Sequence, residues 1–195
     1  MKSFALSSKH DNLPLEVCII APKGTPRGIV QFSHGMAEHK ERYFDFMNFL
    51  AKNGYLCVIH DHRGHGASVK QPEDLGYFYT EDASAIADDL FQVTQWIKAR
   101  YPGLPLMLFS HSMGTLVARN YLKQHDDAIE KMVLCGPPTQ NALTPIGIGL
   151  AKLLIHLRGP ARRSRLIQQL TFGAYNRASN TQQLDLFQLR YGQPV

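Results

Sequence analysis

Short unbroken apolar runs alternate along the first 140 positions with stretches in which apolar residues recur every three or four places. The runs Phe4–Ser7, Leu15–Ile20, Gly28–Ser33, Tyr55–Ile59, Leu106–Phe109 and Lys131–Cys135 predict strands, and Pro14, Pro22, Gly24 and Pro26 punctuate the first three. The first two read as a hairpin. Three periodic stretches predict helices with one buried face. Tyr43, Phe46, Met47 and Leu50 form one stripe, stopped by Asn53-Gly54. Ile86, Leu90, Val93 and Ile97 form a second, which starts near Thr80-Glu81-Asp82 and ends before Pro102-Gly103. Met113 to Gln124 supplies the third. Continuous apolar strands alternating with helices predict an α/β fold. Its sheet is mostly parallel and covered on both faces, because each parallel crossover is long and right-handed. Such sheets bind ligands beyond the C-terminal ends of their strands.

The pattern changes after Pro138. Thr144-Pro145 reads as the N-cap and first turn of a helix with Ile146, Leu150, Leu153, Leu154 and Leu157 on one side, ended by Gly159-Pro160. A second, basic helix is expected from Ala161 to Leu170. From Gly173 to Val195 the chain is polar, with scattered Leu and Phe and a composition suited to disorder. The expected organisation is therefore a core over 1–139, a helical segment over 140–175 and a tail over 176–195. It is a single α/β core followed by a helical segment.

Composition narrows the function. The net charge of +5 is local: through Thr139 the chain carries 14 Lys and Arg against 15 Asp and Glu, and the excess falls on Lys152, Arg158, Arg162, Arg163, Arg165, Arg177 and Arg190. A nucleic-acid-binding face spread over the domain is not expected from this distribution. Cys18, Cys57 and Cys135 are odd in number and sit in strand-like runs, as buried thiols do. The N-terminus lacks the roughly 7–15 apolar residues of a secretory signal, and no run reaches the ~20 of a membrane span, so a soluble cytoplasmic protein is expected.

Candidate chemistry lies at three strand ends. Ser110-His111-Ser112-Met113-Gly114 follows an apolar strand and opens a helix, the setting in which a G-x-S-x-G-like string forms a nucleophile elbow; Ser110 replaces the usual first Gly. Ser112 is the candidate nucleophile, with His111 and Gly114 shaping the turn, and the Met113 N–H is one candidate oxyanion donor. His34-Gly35-Met36-Ala37-Glu38-His39 follows the Gly28–Ser33 strand and offers the Met36 N–H as the second donor, with His34, Gly35, Glu38 and His39 supporting it. A helical zinc motif fails here, since one residue too many separates His34 from Glu38. The third block is His60-Asp61-His62-Arg63-Gly64-His65-Gly66. Asp61, Arg63, Gly64, His65 and Gly66 are expected to form a hydrogen-bonded turn bracing the oxyanion loop. The rival reading, a metallohydrolase using His60, His62 and His65, is disfavoured because Gly64 stands where that metal motif has Asp. No metal and no cofactor are expected.

HGMAEH, the His60–Gly66 block and SHSMG, in this order and spacing, resemble the monoacylglycerol lipase and lysophospholipase group of α/β-hydrolases, the serine aminopeptidase S33-like proteins. Gly54-Tyr55, Gly76-Tyr77-Phe78 and Tyr101–Pro105 support the likeness, which runs from Met1 to about Tyr175. The resemblance implies a serine hydrolase acting on a glycerolipid ester or related small acyl substrate, with no cofactor. Ser112 would be the nucleophile, Met36 and Met113 the oxyanion donors, and the fold an α/β-hydrolase core incomplete at its C-terminal side, with a partial helical lid after the strand ending at Cys135. The lid's expected role is to pack over the pocket, with peripheral contact to anionic lipid as the alternative.

In that family the triad acid and histidine follow two further strands, so neither is identified in this sequence, which is expected to hydrolyse esters slowly or not at all. The order Ser112, Asp126 or Asp127, His156 fits formally, but Asp126 would lie about 20 Å along the helix that begins at Ser112, and His125 fails likewise. The alternative function is a non-catalytic α/β-hydrolase remnant that binds a ligand or partner. The oligomeric state stays open.

Overall fold

Strands that are apolar on both sides need cover on both faces, and the chain supplies it with helices above and below a single sheet. The computed structural model describes residues 1–139 and 144–159, with single positions 164 and 169. The chain divides into two units, Met1–Pro138 and Thr139–Val195. In the first, β1 (Lys2–Ser7), β2 (Pro14–Ile20), β3 (Gly28–Ser33), α1 (Phe44–Lys52), β4 (Tyr55–His60), α2 (Ala85–Arg100), β5 (Leu106–His111), α3 (Met113–His125) and β6 (Lys131–Cys135) follow in order. In the second, α4 spans Thr144–Arg158. The expected basic helix over 161–170, apart from the two single positions, and the polar tail lie outside the described residues.

The six strands run β1-β2-β4-β3-β5-β6. β1 and β2 form the expected hairpin, and β2 meets β4 antiparallel; β4, β3, β5 and β6 are parallel. Alternation along the strands feeds two cores. Cys18, Val30, Phe32, Cys57 and Ile59 face α1 and its Met47. Val17, Ile29, Leu56, Val58 and Leu106 face Val93 and Ile97 of α2. Leu108 joins Leu90 of α2 with Val117, Ala118 and Tyr121 of α3. Each such fully buried aliphatic side chain contributes about 1.5–3 kcal/mol.

Polar residues also enter this interior, Gln31 and Thr94 as a bonded pair. Gln31 on β3 is fully buried, donates to the Leu90 carbonyl at 2.9 Å and accepts from Thr94 Oγ1 at 2.7 Å, which leaves neither end of its amide unpaired.

The strand order fixes where a ligand can sit. From β3 the chain crosses through α1 to β4 on one side; through α2 it then returns to β5 on the other. The loops after β3 and β5 therefore leave in opposite directions and open a crevice between adjacent strand ends. His34–His39 and Ser112 occupy those two loops.

Candidate active site

Ser112 joins β5 to α3 without a spacer, and its backbone bears the cost: φ is 50° and ψ −119°. A non-glycine residue in this region is strained by about 1–3 kcal/mol and persists only where its surroundings hold it. Three bonds do so. The Ser112 N–H donates to the Cys135 carbonyl at 3.0 Å, and the Ser112 carbonyl accepts from the Thr115 N–H at 2.9 Å and its hydroxyl at 2.7 Å. The turn also demands the absence of side chains. A Cβ on Gly114 would collide with the Ser33 carbonyl oxygen and lie 2.7 Å from that of His34, so α3 starts against the end of β3 only because position 114 is glycine. Ser110, the departure from the usual first Gly, is fully buried, and its hydroxyl has no partner among the described residues.

The loop after β3 faces this bend. A Cβ on Gly35 would lie 3.1 Å from Ser112 Cβ and 2.6 Å from Glu38 Oε1, so the two loops touch through a glycine. Met36 is 47% exposed, and Ala37 takes a positive φ of 57°. No hydrogen bond among the described residues takes up the Met36 or the Met113 amide.

Beneath the loop lies Glu38, buried and multiply bonded. Its carboxylate accepts from the Gly35 N–H, from the Tyr43 hydroxyl at 2.8 Å and from Arg42 at 3.2 Å, and meets His111 Nδ1 at 2.9 Å. Burial acts to raise the Glu38 pKa, but the hydrogen bonds from His111, Tyr43 and Gly35 outweigh it and hold the carboxyl below its ordinary value. Burial and the neighbouring carboxylate in turn push the Tyr43 hydroxyl up. Glu38 thus ties the loop after β3 to the residue preceding Ser112. In the sequence Tyr43 is only an apolar position of a helical stripe; its spacing of five from Glu38 across a helix entry carries no simple periodic signal.

The third block divides in its task. Asp61 accepts from the Lys40 N–H and pairs with Lys40 Nζ, both at 2.7 Å, and takes the Ala67 N–H at 2.9 Å, anchoring the far end of the loop after β3. A Cβ on Gly66, at φ 51°, would overlap the Asp61 carboxylate, and one on Gly64, at φ 72°, would lie 2.6 Å from the Tyr77 carbonyl. Arg63 does not brace the loop as the sequence reading expected. Its fully buried guanidinium turns the other way, to Asp89 of α2 at 2.8 Å, to Asp11 at 3.1 Å and to the Phe78 carbonyl at 2.9 Å. An acid on α2 and another on the β1–β2 turn neutralise a charge that could not otherwise be buried.

His34, His60, His62 and His65 pack as a buried stack behind the loop, with ring centroids of His34 and His62 4.4 Å apart and of His34 and His65 5.4 Å apart. Desolvation holds all four below the ordinary imidazole pKa, His60 at about 4. The His34 ring sits between those of His62 and His65, and among the described residues no group of three or more His, Cys, Asp or Glu side chains is arranged to hold a metal ion. The metallohydrolase reading of His60, His62 and His65 has no geometric footing. His39 meets Glu41 at 2.6 Å, on the turn that enters α1.

Eight of the nine histidines lie in the first unit, and no hydrogen bond among its residues joins one of their imidazoles to Ser112 Oγ. His111 is engaged by Glu38, and His125 stacks on Phe91 at 3.5 Å at the far end of α3. His156 is exposed on α4, in the second unit. Asp126 and Asp127 form the 3₁₀ turn beyond α3.

A sharp strand-to-helix bend at serine, beside a second strand-end loop in a mostly parallel sheet, defines the α/β-hydrolase architecture. The serine aminopeptidase S33 family model matches residues 24–185, and the chain belongs to this family of hydrolases. It is 33% identical to human monoglyceride lipase over 116 residues, 60% of this chain and 37% of that protein. It is 31% identical to a monoacylglycerol lipase of Mycolicibacterium smegmatis over 135 residues, 68% of this chain and 46% of the relative. A soluble variant of Saccharomyces cerevisiae monoglyceride lipase, solved with a substrate analog, superimposes with a TM-score of 0.63 at 25% identity, covering 77% of this chain and 51% of that one. The chain spans less than half the length of these two curated relatives.

Proposed function

We propose that Ser112 is the nucleophile of a carboxylic ester hydrolase whose substrate is a monoacylglycerol or a related small acyl lipid. The single observation carrying this reading is the backbone of Ser112, bent to φ 50° and ψ −119° at the junction of β5 and α3 and in contact with the Gly35 turn. A strained residue at a strand end is a feature of functional sites and has no use in a helix cap alone. The similarity to monoglyceride lipases supports the choice of ester.

In this mechanism the Ser112 hydroxyl gives up its proton and attacks the ester carbonyl, and the Met36 and Met113 N–H groups hold the resulting oxyanion. The alcohol leaves, and water releases the acid from acyl-Ser112. The proton needs an acceptor, and none of the histidines of Met1–Pro138 contacts Ser112 Oγ. Removing the histidine of a serine triad costs on the order of 10⁶ in kcat, so these 195 residues by themselves turn esters over very slowly.

Mass spectrometry after incubation with a fluorophosphonate and, separately, with a p-nitrophenyl ester tests the reading. The expected result is a slow, stoichiometric adduct on Ser112 that Ser112→Ala abolishes. No adduct on Ser112 with either reagent favours the non-catalytic remnant, and turnover at ordinary esterase rates reveals a base. Monoacylglycerol, lysophospholipid and short-chain esters, compared as competitors of labelling, separate the substrate classes.

A further inference from the structure

The Gly35 carbonyl and the Met36 N–H belong to one peptide unit, which is planar and, as no cis bond occurs in the described chain, trans. In such a unit the C=O and N–H point in opposite directions, so whatever grips the oxygen sets the direction of the hydrogen. His34 grips it: Nδ1 lies 2.8 Å from the Gly35 oxygen. The ring is fully buried behind the loop, so the Met36 N–H is directed away from it.

The grip depends on a proton being at Nδ1, and a second contact puts it there. The His62 backbone N–H donates to His34 Nε2 at 2.9 Å, so Nε2 is the bare nitrogen and Nδ1 carries the hydrogen. His62 is held in turn, its Nε2 lying 2.9 Å from Ser33 Oγ, which also reaches the Gly114 carbonyl at 3.3 Å. The Gly35 N–H, at the other side of the residue, is fixed by the Glu38 carboxylate. Rotating the Gly35–Met36 peptide would break the His34 bond and leave a buried imidazole N–H without an acceptor.

We propose that His34 is a positioning residue for acyl transfer: as the Nδ1–H tautomer set by the His62 amide, it orients the Gly35–Met36 peptide so that the Met36 N–H serves the oxyanion formed at Ser112. This inference rests on the assignment of Ser112 as nucleophile.

Two substitutions separate orientation from packing. In His34→Asn the side-chain amide nitrogen sits near the place of Nδ1 and still donates to the Gly35 oxygen. In His34→Gln the amide reaches the place of Nε2, accepts from His62 and leaves Gly35 unpinned. With both variants shown to be folded by circular dichroism, the rate of Ser112 labelling by a fluorophosphonate is expected to stay within about threefold for Asn. For Gln it is expected to fall roughly tenfold to a hundredfold, part of the 10²–10³ that losing an oxyanion donor costs. Equal slowing in both variants, or no slowing in Gln, overturns the inference and leaves the nucleophile assignment standing. Nitrogen-15 spectra of the ring give a readout independent of labelling: Nδ1 protonated and Nε2 bare is expected, and the reverse tautomer overturns the inference alone. Wild-type chain that labels no faster than Ser112→Ala takes down the nucleophile assignment, and this inference with it.

Discussion

Ser110 and Glu38 show at the scale of single residues how the site balances its buried polar groups. The Ser110 hydroxyl is buried without a partner among the described residues, and such a group costs about 1–3 kcal/mol. Ser110→Ala removes the hydroxyl and keeps the Cβ that already fits, so chemical denaturation is expected to show a gain of about 1 kcal/mol. Glu38 is the opposite case, a buried carboxylate met by four donor groups. Its pKa is depressed on folding, so its contribution is present above the ordinary value of 4.5 and is lost as pH falls through the lower folded value. The stability gap between wild type and Glu38→Gln is therefore expected to shrink as pH drops below 4.5. A gap that stays constant from pH 7 to pH 3 would show that the carboxylate contributes nothing by its charge.

At the scale of elements, the sequence is legible where hydrophobic burial alone decides. β3 and β6 begin and end where their apolar runs do, and the turn from β5 into α3 follows from SHSMG standing between a run and a stripe. It is less legible where polar side chains compete with the helix for the backbone. α2 begins at Ala85, five residues after Thr80, because Thr80 Oγ1 takes the Asp82 N–H at 3.0 Å and Asp82 takes the Ser84 N–H at 2.9 Å, building local turns first. Likewise the stripe from Lys40 opens as a 3₁₀ turn over Lys40–Tyr43, where Asp61 holds the Lys40 N–H. Within the site, the loops could be read from the motifs. The rotation of Arg63 toward α2 could not, since its partners Asp11 and Asp89 are 52 and 26 positions away.

The helix α4 carries its own proposal. Ile146, Leu153 and Leu157 share one side of the helix and are between 54% and 69% exposed, an apolar stripe suited to resting on lipid. No helix among the described residues is long and apolar enough to cross a membrane. Flotation with anionic liposomes is expected to carry the chain upward and Leu153→Glu/Leu157→Glu to leave it behind. Flotation that ignores lipid charge and the two substitutions alike would end the proposal.

At the scale of the whole molecule, the sheet is asymmetric. One edge is β1, the outer strand of the hairpin, whose exposed positions are Lys2, Ser3, Ala5 and Ser7; β6, the outermost described strand on the other side, presents Val133 at 53% and Leu134 at 37% exposure. Exposed apolar edge strands tend to pair with another copy. Sizing chromatography over a concentration series is expected to show self-association that Val133→Lys reduces. Because the position is exposed, that change should alter thermal stability by only about 0.5 kcal/mol or less.

The bend at Ser112 also reverses an everyday rule of protein engineering. Trading glycine for alanine ordinarily firms up a chain, but at a φ of 50° a methyl group is a burden and its absence a relief. Of two inert versions of this protein, the one bearing glycine at position 112 should therefore outlast the one bearing alanine on heating, by about 1 kcal/mol. The Ser112 side chain sits where folding alone would have chosen none at all.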